Sequence, residues 1–472
     1  MTTILVSGAS GYIASRLIPR LLQAGYHVRC LARQPERLRR RAWYGQVETA
    51  AGNLTRPETL PAAFQGVQAC YYLVHSMAAG HGYEELDLLA ARNFAQAARQ
   101  AGVEQIIYLG GLADERERLA GHLRSRIESG AALSEAGVPV TEFRAGVIVG
   151  PGSVSFEMIR FIAEQFPVMV GPAWLKHKSQ PIATRNVLDY MVAALETPAC
   201  YGKIIEIGGE DTMTYAESMT RFAQLRGHRR SLLLLPMVPA WFMAFFIDKL
   251  TPVHNSYALP LVQGLKNDSL VLHPTPPELF PELHLLDYTQ AVTHALADLH
   301  PDTVERTWLD LERDDIEIKH EGMFIAFVRV RSRASAQAVF AAVCGLGGSN
   351  GWPAWNGLWQ LRGLLDRLFG GPGMRGRDEQ LRQGGLLDFY RVEMLIDGRL
   401  RLRAELKAPG LAWMEWLVLP GCDGKDGCTL EQTAFFAPKG LPGFLYWYLL
   451  SPIHRAVFKR LAQGLAGQAE KI

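Results

Sequence analysis

The chain has 472 residues, of which 48% are hydrophobic and 20% charged, with a formal net charge of +2. That balance is ordinary for a folded globular protein; it excludes a disordered or collagen-like chain and offers nucleic acid no general electrostatic attraction. The length exceeds one ordinary core, so two domains are expected.

An apolar run, Ile4-Leu5-Val6, breaks into Ser7-Gly8-Ala9-Ser10-Gly11-Tyr12-Ile13-Ala14, and helical spacing follows at Leu17, Ile18, Leu21 and Leu22. A strand that turns through glycines into a helix is the signature of a dinucleotide site. Gly8 permits the tight turn, Gly11 lets the backbone approach a pyrophosphate, and Ala14 keeps the helix close to the sheet. Ser10, Tyr12 and Ile13 complete the loop, where the free N–H groups of the first helical turn attract phosphate. A strand over residues 27–32 ends at Arg33, where an NAD-preferring enzyme would often place an acid to hold the ribose hydroxyls. A guanidinium suits a 2′-phosphate instead, so NADP is expected over NAD. The following Arg37, Arg39, Arg40 and Arg41 read as a solvated face, with only Arg37 placed to assist.

Further strands are predicted over residues 47–51, 69–74, 106–109 and 140–143, with helices over 83–101 and 117–136. This alternation predicts an α/β fold of the Rossmann type, a doubly wound parallel sheet. The six cysteines, Cys30, Cys70, Cys200, Cys344, Cys422 and Cys428, form no CxxC pair and no zinc spacing, so no metal site is expected. Cys30 and Cys70 fall in buried strands, where a thiol serves as a small apolar filler. With no cleavable leader before the first strand, a reducing cytoplasm is the expected compartment. Residues 231–247 are seventeen positions without a charge, flanked by Arg229-Arg230 and Asp248-Lys249, and fall short of the ~20 needed to cross a bilayer. Pro236 and Pro239 split them into a short strand over 232–235 and a helix with Pro239 near its first turn. Trp241, Phe242, Phe245 and Phe246 make that helix apolar on more than one face. Burial beneath a substrate lobe is expected, and peripheral contact with a membrane is the competing reading.

Several of these residues together resemble a known family. The glycine loop at 8–14, Asn53 after the third strand, Tyr71-Tyr72-Leu73-Val74-His75 in the fourth, Asn93, and the segment FRAGVIVGPGS at 143–153 are similar to atypical, extended short-chain dehydrogenase/reductases of the NmrA-like group. The resemblance covers residues 1–300, including Gly208-Gly209 and 260–265. It implies that Asn53, with Leu54 beside it, lies by the adenine, that Val74, His75 and Ser76 line the nicotinamide side, and that Asn93 is structural. Members that turn over carbonyls carry a Tyr-x-x-x-Lys pair before the sixth strand, the lysine lowering the tyrosine's pKa. Here His122 and Arg126 stand at those positions. The serine expected after the fifth strand is also absent, since Leu109 runs into Gly110-Gly111. His122 is a candidate general acid, and Arg126 a candidate to hold ribose or phosphate. Tyr12, His75, Ser76 and Tyr108 are further polar groups near the cofactor.

Residues 301–320 read as a charged linker with a proline start, and a second domain over 321–472 follows, because the alternation of helices and parallel strands stops there. A strand over 324–330, a helix over 334–344, strands over 388–396, 400–406, 412–419 and 429–436, and an apolar helix over 444–465 give an α+β order. That order resembles the helix-grip fold of the START-like (SRPBCC) superfamily, in a domain type of unknown function fused to such reductase-like lobes. The resemblance implies an apolar cavity for a small or lipid-like ligand. Trp352, Trp355, Trp359, Trp413, Trp416 and Trp447 concentrate here, and core packing is their expected role. The glycine-rich segment 370–376 lacks the strand-to-helix context of a phosphate loop and is expected to be a turn. The combined expectation is an NADP-dependent oxidoreductase acting on a small or hydrophobic carbonyl or quinone. The alternatives are a non-catalytic NADP-binding sensor or assembly protein, and a protein docking on a membrane surface. The sequence leaves the oligomeric state open.

Overall fold

The computed structural model describes residues 2–77, 80, 82–274, 277–306, 308–309, 313–421 and 427–471; Cys422 lies outside them. The chain divides into two compact units, Met1–Arg306 and Thr307–Ile472.

In the first unit the strands are β1 (Thr3–Ser7), β2 (His27–Ala32), β3 (Glu48–Ala51), β4 (Ala69–Tyr72), β5 (Gln105–Gly111), β6 (Val140–Ala145) and β7 (Ile204–Ile207), and they form one sheet in the order β3-β2-β1-β4-β5-β6-β7. Every neighbouring pair is parallel. Helices cover both faces. On one side α1 (Tyr12–Gln23) buries Ala14, Leu17, Ile18 and Leu21, an i, i+3, i+4, i+7 stripe, beside Val187 and Met191 of the helix Thr184–Ala193. On the other, α2 (Tyr83–Gln100) and α3 (Gly121–Ser134) close over Leu5, Cys70, Tyr72 and Ile106. A sheet covered on both faces takes unbroken apolar strands, and Ile4 through Ser7 are all buried. Cys30, Cys70 and Cys200 are buried free thiols within this unit. The strand order reverses between β1 and β4, which opens a crevice at their carboxyl ends.

Residues 146–306 add a second core in which Phe156, Phe222 and Tyr288 meet. Two of its helices start on reciprocal capping boxes, Thr214 with Glu217 and Asp287 with Gln290. A parallel two-stranded ribbon pairs Val168–Pro172 with Ser231–Leu235. The helix Ala240–Leu250 begins after Pro239, where the sequence puts it, but the expected burial of its aromatics does not occur. Only Ala244 and Ile247 of this helix are fully buried, with Ala240 and Met243 packed partly against them, leaving Trp241 65% and Phe245 52% exposed.

The second unit holds an antiparallel sheet of β8 (Asp315–His320), β9 (Met323–Ser332), β10 (Leu386–Leu387), β11 (Tyr390–Ile396), β12 (Arg399–Ala404), β13 (Gly410–Pro420) and β14 (Cys428–Pro438), ordered β8-β9-β14-β13-β12-β11-β10. Strand β8 lies inside the segment expected as a linker. Its helices are α4 (Ala336–Cys344), α5 (Asn356–Leu368) and the thirty-residue α6 (Gly440–Ala469), whose Leu461, Ala462 and Leu465 bury against Val343, Leu402 and Trp416. Trp352, Trp359, Trp413, Trp416 and Trp447 are buried, whereas Trp355 is exposed. The Trp352 and Trp359 rings stack 4.2 Å apart, and the Trp352 indole donates to Asp388 at 2.8 Å. The glycine-rich segment folds onto the buried Asp366, whose carboxylate accepts from the Gly373 and Lys407 amides, so those donors are already engaged. Trp352→Ala removes a stacked ring and the shorter of the hydrogen bonds to the buried Asp388 carboxylate, which among the described residues keeps only the Gly348 amide at 3.4 Å. It is expected to cost about 3–5 kcal/mol in the chemical denaturation of this unit; a loss below 1 kcal/mol would show that the stack does not anchor the core.

Candidate functional site

The crevice between β1 and β4 owes its shape to one close approach. Gly8 has φ +70°, and a Cβ placed on it would lie 2.5 Å from the Leu73 carbonyl oxygen. No side chain fits there, so the turn after β1 closes against the end of β4. The Ser7 hydroxyl ties the same two segments, donating to the Tyr71 carbonyl at 2.8 Å and accepting from the Leu73 amide at 3.3 Å. The Gly11 amide closes the turn on the Gly8 carbonyl at 2.8 Å, and α1 begins with no side-chain cap and no acid in its first turn. Its leading N–H groups therefore face the crevice end of the sheet as a site for an anion.

A cleft of ≈150 Å³ opens there, lined by Gly11, Tyr12 and Ile13 of the α1 start, Leu73, Val74 and His75 after β4, and Arg126 of α3, among others. Ser10 sits exposed on the turn. The Tyr12 hydroxyl is 2.9 Å from the Thr184 hydroxyl, which leaves its main chain as the part facing a ligand. Arg33 is exposed directly after β2. The Asn53 carboxamide oxygen accepts from the Thr55 amide at 3.1 Å and hydroxyl at 3.0 Å, holding the loop after β3, while the Leu54 carbonyl accepts from Asn93 at 2.8 Å. Asn93 is thus engaged as the structural residue that the resemblance implies.

The two histidines have different surroundings. His75 Nδ1 lies 2.6 Å from an Asp87 oxygen whose partner oxygen accepts from the Ser76 amide at 2.7 Å. Burial works against the Asp87 carboxylate, but the His75 and Ser76 hydrogen bonds outweigh it and hold the group below the usual carboxylate range. An ionised carboxylate only accepts, so His75 donates through Nδ1 and keeps a lone pair on Nε2. Nε2 is buried and has no hydrogen-bond partner among the described residues. Burial lowers the His75 pKa, opposed by Asp87 and aided by Arg126. Arg126 donates to the Leu109 carbonyl at 2.9 Å and has no carboxylate partner among the described residues, which leaves a cation on the cleft wall. The uncapped helix start, the unpaired guanidinium and the orphaned imidazole nitrogen fit a dinucleotide whose phosphates are anionic and whose reactive ring needs a polar neighbour.

His122 is buried on α3 and is not among the residues lining the cleft; its Nδ1 has no partner among the described residues, and it presses on Gly264, where a Cβ would lie 2.3 Å from its ring. Burial first, then Arg126 and His75, push its pKa down to about 3. A neutral imidazole of that kind has no proton to give near pH 7, so the geometry does not support the expected general-acid role. Asp87 was not among the sequence candidates. Twelve residues separate it from His75, and no motif spacing links a strand end to the second turn of the next helix.

Residues 8–133 match the family described as NAD(P)H-binding, and residues 324–461 match the family described as a protein of unknown function, DUF2867. A ceramide reductase of Caulobacter vibrioides is 24% identical over 278 residues, 57% of this chain and 84% of that protein. A photosystem II assembly factor, Ycf39, of Trieres chinensis is 22% identical over 243 residues, 50% of this chain and 72% of that protein. Among solved structures, the Citrobacter sp. triphenylmethane reductase complexed with NADP(H) superposes with a TM-score of 0.51 at 19% identity, covering 62% of this chain and 99% of that one. The Escherichia coli NADPH-dependent quinone oxidoreductase QOR2 complexed with NADPH gives 0.50 at 20% identity with the same coverage. The amino-terminal unit is therefore an NAD(P)H-binding domain of Rossmann type. Among the described residues no helix is long and apolar enough to cross a membrane.

Two outcomes follow. Gly8→Ala is expected to weaken NADPH binding at least tenfold by calorimetry, about 1.4 kcal/mol, with far-UV dichroism retained; unchanged affinity would mean that the turn does not shape the site. His122 has an ordinary value of 6.5 in the unfolded chain and about 3 when folded. On acidification the unfolded state takes up a proton that the native state refuses, so stability falls by about 1.4 kcal/mol per pH unit below 6.5. Between about pH 7.5 and 5.0 the wild type should lose roughly 2 kcal/mol more than His122→Gln in urea unfolding. Equal losses would place the imidazole in water.

Proposed function

We propose that this protein is an NADPH-dependent reductase of a small or hydrophobic carbonyl or quinone, in which His75, held by Asp87, exchanges the proton. The observation that carries this reading is that His75, whose Nε2 has no partner among the described residues, lines the same cleft as the uncapped start of α1. The main-chain amides of Tyr12 and Ile13 would hold the pyrophosphate, which Gly11 lets approach the backbone, Arg33 the 2′-phosphate, and Arg126 a ribose or phosphate oxygen. Asn53 and Leu54 border the adenine side, and Val74 and His75 the nicotinamide side. When bound, the cofactor supplies a hydride. Asp87 fixes the His75 ring through Nδ1 and offsets part of the cost that burial puts on its charged form, so that Nε2, once protonated from solvent, gives that proton to a developing alkoxide in reduction, and as a neutral acceptor takes one from a hydroxyl in the reverse direction. With the His75 pKa lowered, reduction is favoured on the acid side of neutrality. The relatives that are reductases of ceramide, triphenylmethane dyes and quinones support a hydrophobic substrate. The sheet and long terminal helix of the second unit support a START-like, ligand-holding role for it.

One observation favours a second reading, a non-catalytic NADP-binding sensor or assembly protein. At the positions of the Tyr-x-x-x-Lys pair the chain has a buried His122 and an Arg126, and assembly factors are among its relatives.

Stopped-flow NADPH oxidation against a panel of quinones and aldehydes separates the two. The reductase reading expects turnover that His75→Ala lowers by about 10²-fold or more, while His122→Gln leaves it intact. Tight NADPH binding without turnover on any substrate supports the second reading. For the cofactor, Arg33→Asp should weaken NADPH by about 10–100-fold more than NADH; equal losses would remove Arg33 from the site.

A further inference from the structure

The second unit carries an apolar surface that its own core leaves uncovered. Helix α5 buries one face, Trp359, Gly363 and Asp366, and turns the other outward, with Leu364 66%, Leu368 77% and, just past its end, Phe369 70% exposed. The first half of α6 also leaves Leu445 and Leu449 exposed. The two helices meet through long side chains, the Arg362 guanidinium sitting 6.0 Å over the Tyr446 ring and that of Arg460 5.0 Å over the ring of Trp355, the residue preceding α5. A contiguous patch of large aliphatic and aromatic side chains on a folded surface marks a docking face.

Its charge pattern says what docks. Helix α6 contains no aspartate or glutamate, and the single acid of α5, Asp366, is fully buried under backbone amides. Arg455 and Lys459 are taken by Glu317 and Asp315, which leaves Arg362, Arg367 and Arg460 as a rim with no carboxylate partner among the described residues. A leucine-rich face bordered by guanidinium groups, on helices that themselves expose no acid, is complementary to acyl chains beneath anionic headgroups. The helix Ala240–Leu250 of the first unit is less suited, because its Lys249 is neutralised by Asp248 at 3.2 Å.

We propose that the α5–α6 face seats the second unit on an anionic lipid surface, with Leu364, Leu368 and Phe369 entering the headgroup boundary and Arg362, Arg367 and Arg460 pairing with lipid phosphates. With no helix of the described residues able to cross a bilayer, the contact lies in the interface plane. This inference stands independently of the reductase reading.

Flotation of the full chain with vesicles tests it. Vesicles of phosphatidylcholine with about one third phosphatidylglycerol should carry the wild type upward, with weaker carriage by phosphatidylcholine alone and partial loss in high salt. The exposed triple variant Leu364→Ser/Leu368→Ser/Phe369→Ser should lower flotation at least tenfold while keeping the wild-type melting temperature and NADPH affinity. A wild type that stays at the bottom with both compositions, or a variant that floats equally well, overturns the proposal. So does sedimentation equilibrium showing a dimer that the variant dissolves, because the face would then belong to a second copy.

Discussion

The site rests on the contact between Gly8 and the Leu73 carbonyl. Because nothing larger than hydrogen fits between them, the turn after β1 closes directly on the end of β4. That closure brings the first amides of α1 to the crevice, and it sets the chain after β4 so that Val74 and His75 line the same cleft. A phosphate-binding turn and a titratable side chain thereby reach one cleft from strands sixty-odd residues apart in sequence. The reversal of strand order between β1 and β4 supplies the opening, and the double covering of helices keeps the frame rigid.

Electrostatics then separate two histidines that composition alone treats alike. Burial lowers both, but Asp87 gives His75 a fixed tautomer and a counter-charge, whereas His122 has only unfavourable neighbours, Arg126 and His75 itself. The first keeps a nitrogen able to accept and return a proton; the second is a packing residue against the helix Asn255–Gly264. Arg126 affects both, and as a cation without a carboxylate partner it also gives the cleft a preference for anions.

What the sequence made legible was local. The Gly8–Gly11 turn, the apolar stripe of α1 and the alternation of strand and helix are set by neighbours a few residues away, so their elements match closely: residues 83–101 were expected and Tyr83–Gln100 is found. What stayed hidden depends on distant partners. Asp87 has no recognisable spacing to His75, and only the fold joins them. Strand β8 alternates Ile316 and Ile318 with charged residues, and its charge density masked the alternation as a linker. The helix Ala240–Leu250 is apolar enough to be read as buried, yet burial is decided by what packs over it, and only Ala244 and Ile247 are fully covered. The tryptophans of the second unit were expected as core, and all but Trp355 are buried.

The central claim is that the nicotinamide ring of a bound cofactor lies against His75 while its pyrophosphate lies on the start of α1. A crystal structure of the chain with NADPH measures this directly. The account predicts pyrophosphate oxygens within hydrogen-bond reach of the Tyr12 and Ile13 amides, with the nicotinamide beside His75. A dinucleotide bound away from α1, or a nicotinamide ring facing His122 with His75 Nε2 turned from it, would contradict it.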